Sequence, residues 1–150
     1  MNIIPKMRME WELSFNFILH DHVTGPPYKS VMLFTTKTHA QNRLPGIWIN
    51  PDGRLMVVHK VDNGIQRGIH LPIVMHRENQ VKVTMNKLPV VNEFLFTIYL
   101  NNIVKHETEI PENLLREYSN VNVFIGDPHH FPAHGVVKNL KYKQVSNSSI

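Results

Sequence analysis

The sequence predicts an all-β fold, an antiparallel sandwich of two sheets. Three observations lead there. Several segments alternate apolar and polar residues with a period of two, turn signals separate them at short intervals, and only one stretch could begin a helix. The clearest alternation is Phe94–Leu100, with Phe94, Phe96, Ile98 and Leu100 on one face and Leu95, Thr97 and Tyr99 on the other. Asn101-Asn102 then suits a tight hairpin turn.

The remaining elements follow in order. Trp11, Leu13, Phe15, Phe17 and Leu19 form one apolar face, backed by Glu12, Ser14, Asn16 and His20. Such a strand covers a core with one face and meets water with the other. Thr24-Gly25-Pro26-Pro27 marks a loop. Val31–Thr36 is apolar on both faces, the signature of an interior strand. Ile47–Ile49 and Arg54–His59 read as a hairpin around Asn50-Pro51-Asp52-Gly53, whose proline and glycine suit a type I turn. Asp62-Asn63-Gly64 is another turn signal. Ile69–Val74 is a weak strand, confined to an edge by Pro72. Gln80–Met85 alternates again. At most one short helix, one or two turns near 111–118, is expected after Ile110, with Pro111 near its start. Val121–Ile125 and Val136–Tyr142 are the last strands.

The chain of 150 residues reads as one domain, 1–150, with its core about 9–143. That length favours a jelly roll over the smaller immunoglobulin sandwich. No apolar run is long enough to span a bilayer, and Lys6, Arg8 and Glu10 rule out an N-terminal signal peptide in this stretch. There is no cysteine, so disulfides, thiolate catalysis and thiolate metal sites are out. The net charge of +4 comes from scattered basic residues. A polyanion-binding face has only Lys138, Lys141 and Lys143 to support it, and nucleic acid is not an expected partner.

Several pieces occur in a familiar order: Trp11-Glu-Leu-Ser-Phe-Asn-Phe, Ser30-Val-Met-Leu-Phe, Arg43-Leu-Pro-Gly-Ile-Trp-Ile-Asn-Pro-Asp-Gly-Arg-Leu, Phe94 to Asn101, Asn122-Val-Phe-Ile-Gly-Asp-Pro, Phe131-Pro-Ala and Gly135-Val-Val-Lys-Asn-Leu. Together they resemble the concanavalin A-like lectin/glucanase superfamily, and within it the laminin G-like domains. The resemblance covers about Met9 to Tyr142. It implies two curved antiparallel sheets with the first and last strands adjacent. It also implies a recognition module for sugars or proteins in a larger extracellular or cell-surface protein, although composition alone leaves the cytosol open. The late cysteine pair of many laminin G-like domains is missing. So is the Glu-x-Asp-x-x-Glu strand of the superfamily's glycosidases, and His39-Ala-Gln-Asn-Arg43 departs from the galectin His-x-Asn-x-Arg spacing.

The expected function is therefore non-catalytic binding of glycan or a protein partner. The alternative is an assembly or homo-oligomerisation domain without sugar binding, which would bury Trp48 and expose an apolar edge. An enzyme would need two carboxylates converging in a cleft, and the acids here are dispersed. Trp48 is the better-placed candidate for a sugar-stacking platform, with Tyr99 second and Arg43 and Asn50 beside Trp48 in sequence. Core packing is the competing use of either ring. For a metal, His20 and His22 would share a strand face, with further ligands from His129, His130 and His134. Calcium is the cation the resemblance suggests, through loop acids Asp21, Asp52, Asp62 and above all Asp127. Backbone-capping roles compete for each of these aspartates. The competing reading of these histidines is that they are exposed strand-end and loop residues.

Overall fold

A computed structural model describes residues 2–22, 24–25, 27–36, 43–61, 66–89, 92–126 and 132–144. Among the described residues, eleven strands form two antiparallel sheets. They are β1 (Asn2–Met7), β2 (Trp11–Asp21), β3 (Lys29–Thr35), β4 (Gly46–Ile49), β5 (Leu55–Lys60), β6 (Gln66–Leu71), β7 (Asn79–Lys87), β8 (Glu93–Leu100), β9 (Ile103–Pro111), β10 (Tyr118–Ile125) and β11 (His134–Gln144). One sheet has the order β1-β10-β3-β4-β5-β6 and the other β11-β2-β7-β8-β9. The chain thus has the all-β, two-sheet antiparallel sandwich that its pattern predicts.

Period-two alternation explains the core. Trp11, Leu13, Phe15, Phe17 and Leu19 of β2 point inward and are buried. Beside them lie Val81, Val83 and Met85 of β7 and Phe94, Phe96, Ile98 and Leu100 of β8. The opposing sheet contributes Met32 and Phe34, Ile47 and Ile49, and Leu55 and Val57. β3 is buried from Ser30 to Thr35, as its two apolar faces require of a strand between β10 and β4. β6 is an edge strand and ends before Pro72.

The turns follow their residues. Asn101 and Asn102 both adopt positive φ, 51° and 66°, which closes the β8–β9 hairpin. The β4–β5 turn is closed by the Gly53 N–H donating to the Asn50 carbonyl at 2.9 Å.

The stretch near 111–118 makes a single 3₁₀ turn, Glu112–Leu114, within the at most one short helix expected there, because β9 continues to Pro111 and β10 begins at Tyr118. One feature differs from expectation: the sandwich begins earlier than residue 9. β1 pairs with β10, and its last residue, Met7, is buried. β1 buries little else, so it carries no alternation to read. The first long strand, β2, does lie beside the last, β11. Gln144 ties the end of β11 to the end of β1. Its side-chain oxygen accepts from the Arg8 N–H, and its amide donates to the Lys6 carbonyl at 2.8 Å.

Candidate functional site

Trp48 lies on the outer face of the six-stranded sheet, since its neighbours Ile47 and Ile49 point into the core. Its ring is nevertheless 1 % exposed. The reason lies in the row Leu33, Gly46, Val58, three residues directly opposite one another on β3, β4 and β5. Gly46 leaves a gap in that row, and the indole of Trp48 fills it. A Cβ on Gly46 would stand 2.2 Å from two ring atoms. Leu33, Trp48 and Val58 form a second small apolar cluster flanked by Met56 and Phe124. The Arg43 guanidinium lies over the indole, 4.5 Å from its centroid. The exposed stacking platform expected at Trp48 is thus a buried ring under a cation.

Asn50 is also committed to structure. It is buried, its side-chain oxygen accepts the Arg54 N–H at 2.9 Å, and its own N–H donates to the Arg54 carbonyl at 2.9 Å. Beside the Arg43–Trp48 pair opens a cleft of about 210 Å³, lined by Tyr28, Arg43, Trp48 and Met56. Tyr28, at 41 % exposure, is the accessible aromatic there. Of the four expected binding residues, Arg43 and Trp48 meet at this cleft, and Asn50 supports the turn behind Trp48.

Tyr99 is on the other sheet and does not join them. It projects from the outer face of the five-stranded sheet, with the Lys82 ammonium 4.3 Å from its ring centroid. Lys141, Ser14, Lys82 and Tyr99 form one continuous row across four strands. Thr84 and Thr97 lie on the same face, and the Thr84 hydroxyl is buried without a partner.

The metal candidates separate. His20 is exposed at the end of β2, whereas His22 lies past the strand end, its Nε2 3.2 Å from the Pro51 carbonyl and its ring packed on Gly53. The shared strand face expected of the pair ends at Asp21. Asp52 is held by Arg54 through the backbone N–H at 3.1 Å and the Nε at 2.8 Å, which keeps its carboxyl below the ordinary value. Asp62, Asp127, His129 and His130 lie outside the described residues. Among the described residues, no three His, Asp or Glu side chains converge to hold a metal ion.

Two sets of carboxylates do come together. Glu93 and Glu109 share a hydrogen bond on adjacent strands, and that bond together with their repulsion raises the Glu93 pKa. Glu109 is exposed and Glu93 half-buried. A charged cleft of about 200 Å³ is lined by Glu10, Glu112 and Glu117 with Arg8, Met9, Lys87 and Phe94. There the Glu10 carboxylate accepts the Lys87 N–H at 2.9 Å, and Glu117 pairs with Lys6 at 3.4 Å.

Sequence reasoning missed His59. It is in phase with Leu55 and Val57, so a period of two aims it into the core. It sits between Trp11 and Phe96, 5.6 and 5.8 Å away by ring centroid, with Nδ1 unpartnered. Burial pushes its pKa down from 6.5 to about 4. It also helps line a cavity of about 10 Å³ with Met7, Arg8, Trp11 and Arg116.

No protein-family model matches the sequence, and no curated protein does. Solved structures do. A native heptameric SAP-like pentraxin from Limulus polyphemus superposes with a TM-score of 0.62 at 12 % identity, covering 97 % of this chain and 69 % of that one. The receptor binding domain of botulinum neurotoxin D gives a TM-score of 0.62 at 12 % identity, covering 96 % of this chain and 36 % of that one. Trypanosoma rangeli sialidase in complex with sialic acid gives 0.61 at 10 % identity, covering 91 % of this chain and 21 % of that one. At these identities the likeness establishes the jelly-roll fold alone. The chain spans about a third of the toxin domain and a fifth of the sialidase.

Proposed function

We propose that this chain is a non-catalytic recognition module that binds a saccharide at the cleft of Tyr28, Arg43, Trp48 and Met56. The observation that carries the reading is the pairing of an exposed aromatic, Tyr28, with a guanidinium held in place by the indole beneath it. Sugar rings pack their apolar faces on aromatic side chains, and a stacked arginine offers planar donors to hydroxyls or a carboxylate. The cleft's size, about 210 Å³, suits one sugar ring rather than a long chain. Neighbours of the same fold support the class of ligand, one of them bound to sialic acid. A role outside the cell or at its surface fits this reading. Calcium and Asp127 remain a proposed auxiliary site, tested by adding calcium to the binding assay.

The non-catalytic part rests on where the acids are. Glu93 and Glu109 sit on β8 and β9, outside the lining of the Tyr28 cleft, while Glu10 and Glu117 are engaged by Lys87 and Lys6. Glycosidic cleavage needs two carboxylates flanking a bound sugar.

A glycan array followed by saturation-transfer NMR is the test. Binding that is lost in Tyr28→Ala, with the fold intact, supports the reading. Silence across neutral and sialylated glycans, or binding unaffected by Tyr28→Ala and Arg43→Ala alike, overturns it. The assembly reading also has support: Trp48 is buried, and Ile103, Val104, Val136 and Leu140 are exposed along two strand edges.

A further inference from the structure

The five-stranded sheet has two dissimilar edges, β11 with 11 residues and β9 with 9. Along β11 the outward residues are Val136, Lys138, Lys141 and Lys143, which lie opposite Ile18, Asn16, Ser14 and Glu12. Along β9, read in the same direction, they are Val104, Glu107 and Glu109, opposite Tyr99, Thr97 and Leu95. Each edge therefore presents an exposed valine, 39 % for Val136 and 47 % for Val104, followed by charges of a single sign, three on β11 and two on β9.

Because all five strands alternate in direction, β11 and β9 run parallel to each other. A second copy displaced sideways sets its β11 alongside β9 of the first. Val136 then meets Val104, Lys138 meets Glu107 and Lys141 meets Glu109. From the valine to the second charge each strand carries one register shift, so Lys141 and Glu109 each lie five residues beyond their valine. Lys143 is already paired with Glu12 at 3.4 Å, whereas Lys138 and Lys141 have no ion pair among the described residues. Glu109 also crowds Glu93, a repulsion that an incoming lysine relieves.

We propose that a second copy of this chain docks head to tail through these edges, β11 of one against β9 of the next. Edge lysines usually keep like edges apart. Here the far edge of the same sheet carries acids, so the charges repel edge-to-like-edge pairing and favour the heterologous contact. Such a contact closes into a ring or grows into an open chain. The proposal does not depend on saccharide binding; it gives the assembly reading its surface and its partner.

The test is sedimentation equilibrium from micromolar to millimolar protein at low salt (about 0.02 M) and high salt (about 0.5 M). Association is expected at low salt and is expected to weaken on the order of five- to tenfold at high salt, where exposed pairs are screened. Two charge-reversed variants sharpen it: Lys138→Glu/Lys141→Glu and Glu107→Lys/Glu109→Lys. All four side chains are exposed, and circular dichroism checks that both variants fold. Each variant alone is expected to be monomeric, and an equimolar mixture is expected to associate again. A monomer under every condition overturns the proposal, as does a mixture that stays monomeric. If the glutamate variant associates unaided, the contact is not head to tail. Salt-independent oligomers untouched by both variants would keep assembly but remove it from these edges.

Discussion

Acidification is expected to cost this fold about 3 kcal/mol through His59 alone. The side chain is 3 % exposed, enclosed by Trp11 and Phe96, and its Nδ1 has no partner. Burial without a counter-charge disfavours the imidazolium, which lowers the pKa from 6.5 to about 4. The groups facing this region offer no carboxylate to offset that. Arg8, Arg116 and Tyr118 line the adjoining cavity, Tyr142 packs on Trp11, and His106 packs on Phe96. Burial also lowers the His106 pKa and raises that of Tyr142.

The sign follows from linkage. Above the unfolded value both states are neutral at His59, so nothing is lost. Between pH 6.5 and about 4 the unfolded chain binds a proton that the native state refuses. Stability then falls by about 1.4 kcal/mol per pH unit and levels off below the folded value. Against a typical total of about 5–15 kcal/mol, that is a substantial fraction. Urea unfolding at several pH values between 7 and 4, comparing the parent with His59→Leu, reads it directly. The variant lacks this loss, and at pH 7 it is expected to be near neutral because it removes an orphaned polar atom. Carboxylates and the other histidines contribute to both proteins, so the difference between the two curves isolates His59. Parallel curves would refute the reasoning.

Two further substitutions check the packing. Gly46→Ala drives a methyl group into the Trp48 ring and is expected to cost about 1–3 kcal/mol, with a shift in tryptophan emission as Arg43 and the indole separate. Thermal melts with fluorescence detection measure both. Asn79→Ala removes a buried amide whose Nδ2 donates to the Phe17, Val74 and Arg77 carbonyls and whose oxygen accepts the Val74 N–H. The expected loss is about 2–4 kcal/mol, since those backbone groups are left unpaired. Amide exchange is expected to rise first in the β6–β7 connection.

Much of the architecture was readable because burial on one face of a strand imposes alternation. β2 and β8 declare themselves that way, β3 by being apolar on both faces, and Asn101-Asn102 by tolerating positive φ. β1 buries only Met7 among mostly exposed residues, so it left no pattern to find. His59 was legible in principle, being in phase with Leu55 and Val57, but residue type drew the eye to exposed histidines instead. Trp48 was not legible. Its burial depends on Gly46 standing opposite Leu33 and Val58, which is a matter of register between strands rather than of sequence within one. Tyr28 meets Arg43 and Trp48 for the same non-local reason. The lysines of β11 and glutamates of β9 are distant in sequence and become a matched set only once the strand order is known.

The Gln144 clasp to Lys6 and Arg8 has an architectural consequence. Residues 6 and 144 are held side by side, so the end of β11 is moored to the corner where β1 hands over to β2. A pull on the chain beyond Gln144 is borne by this mooring before it can peel β11 from β2.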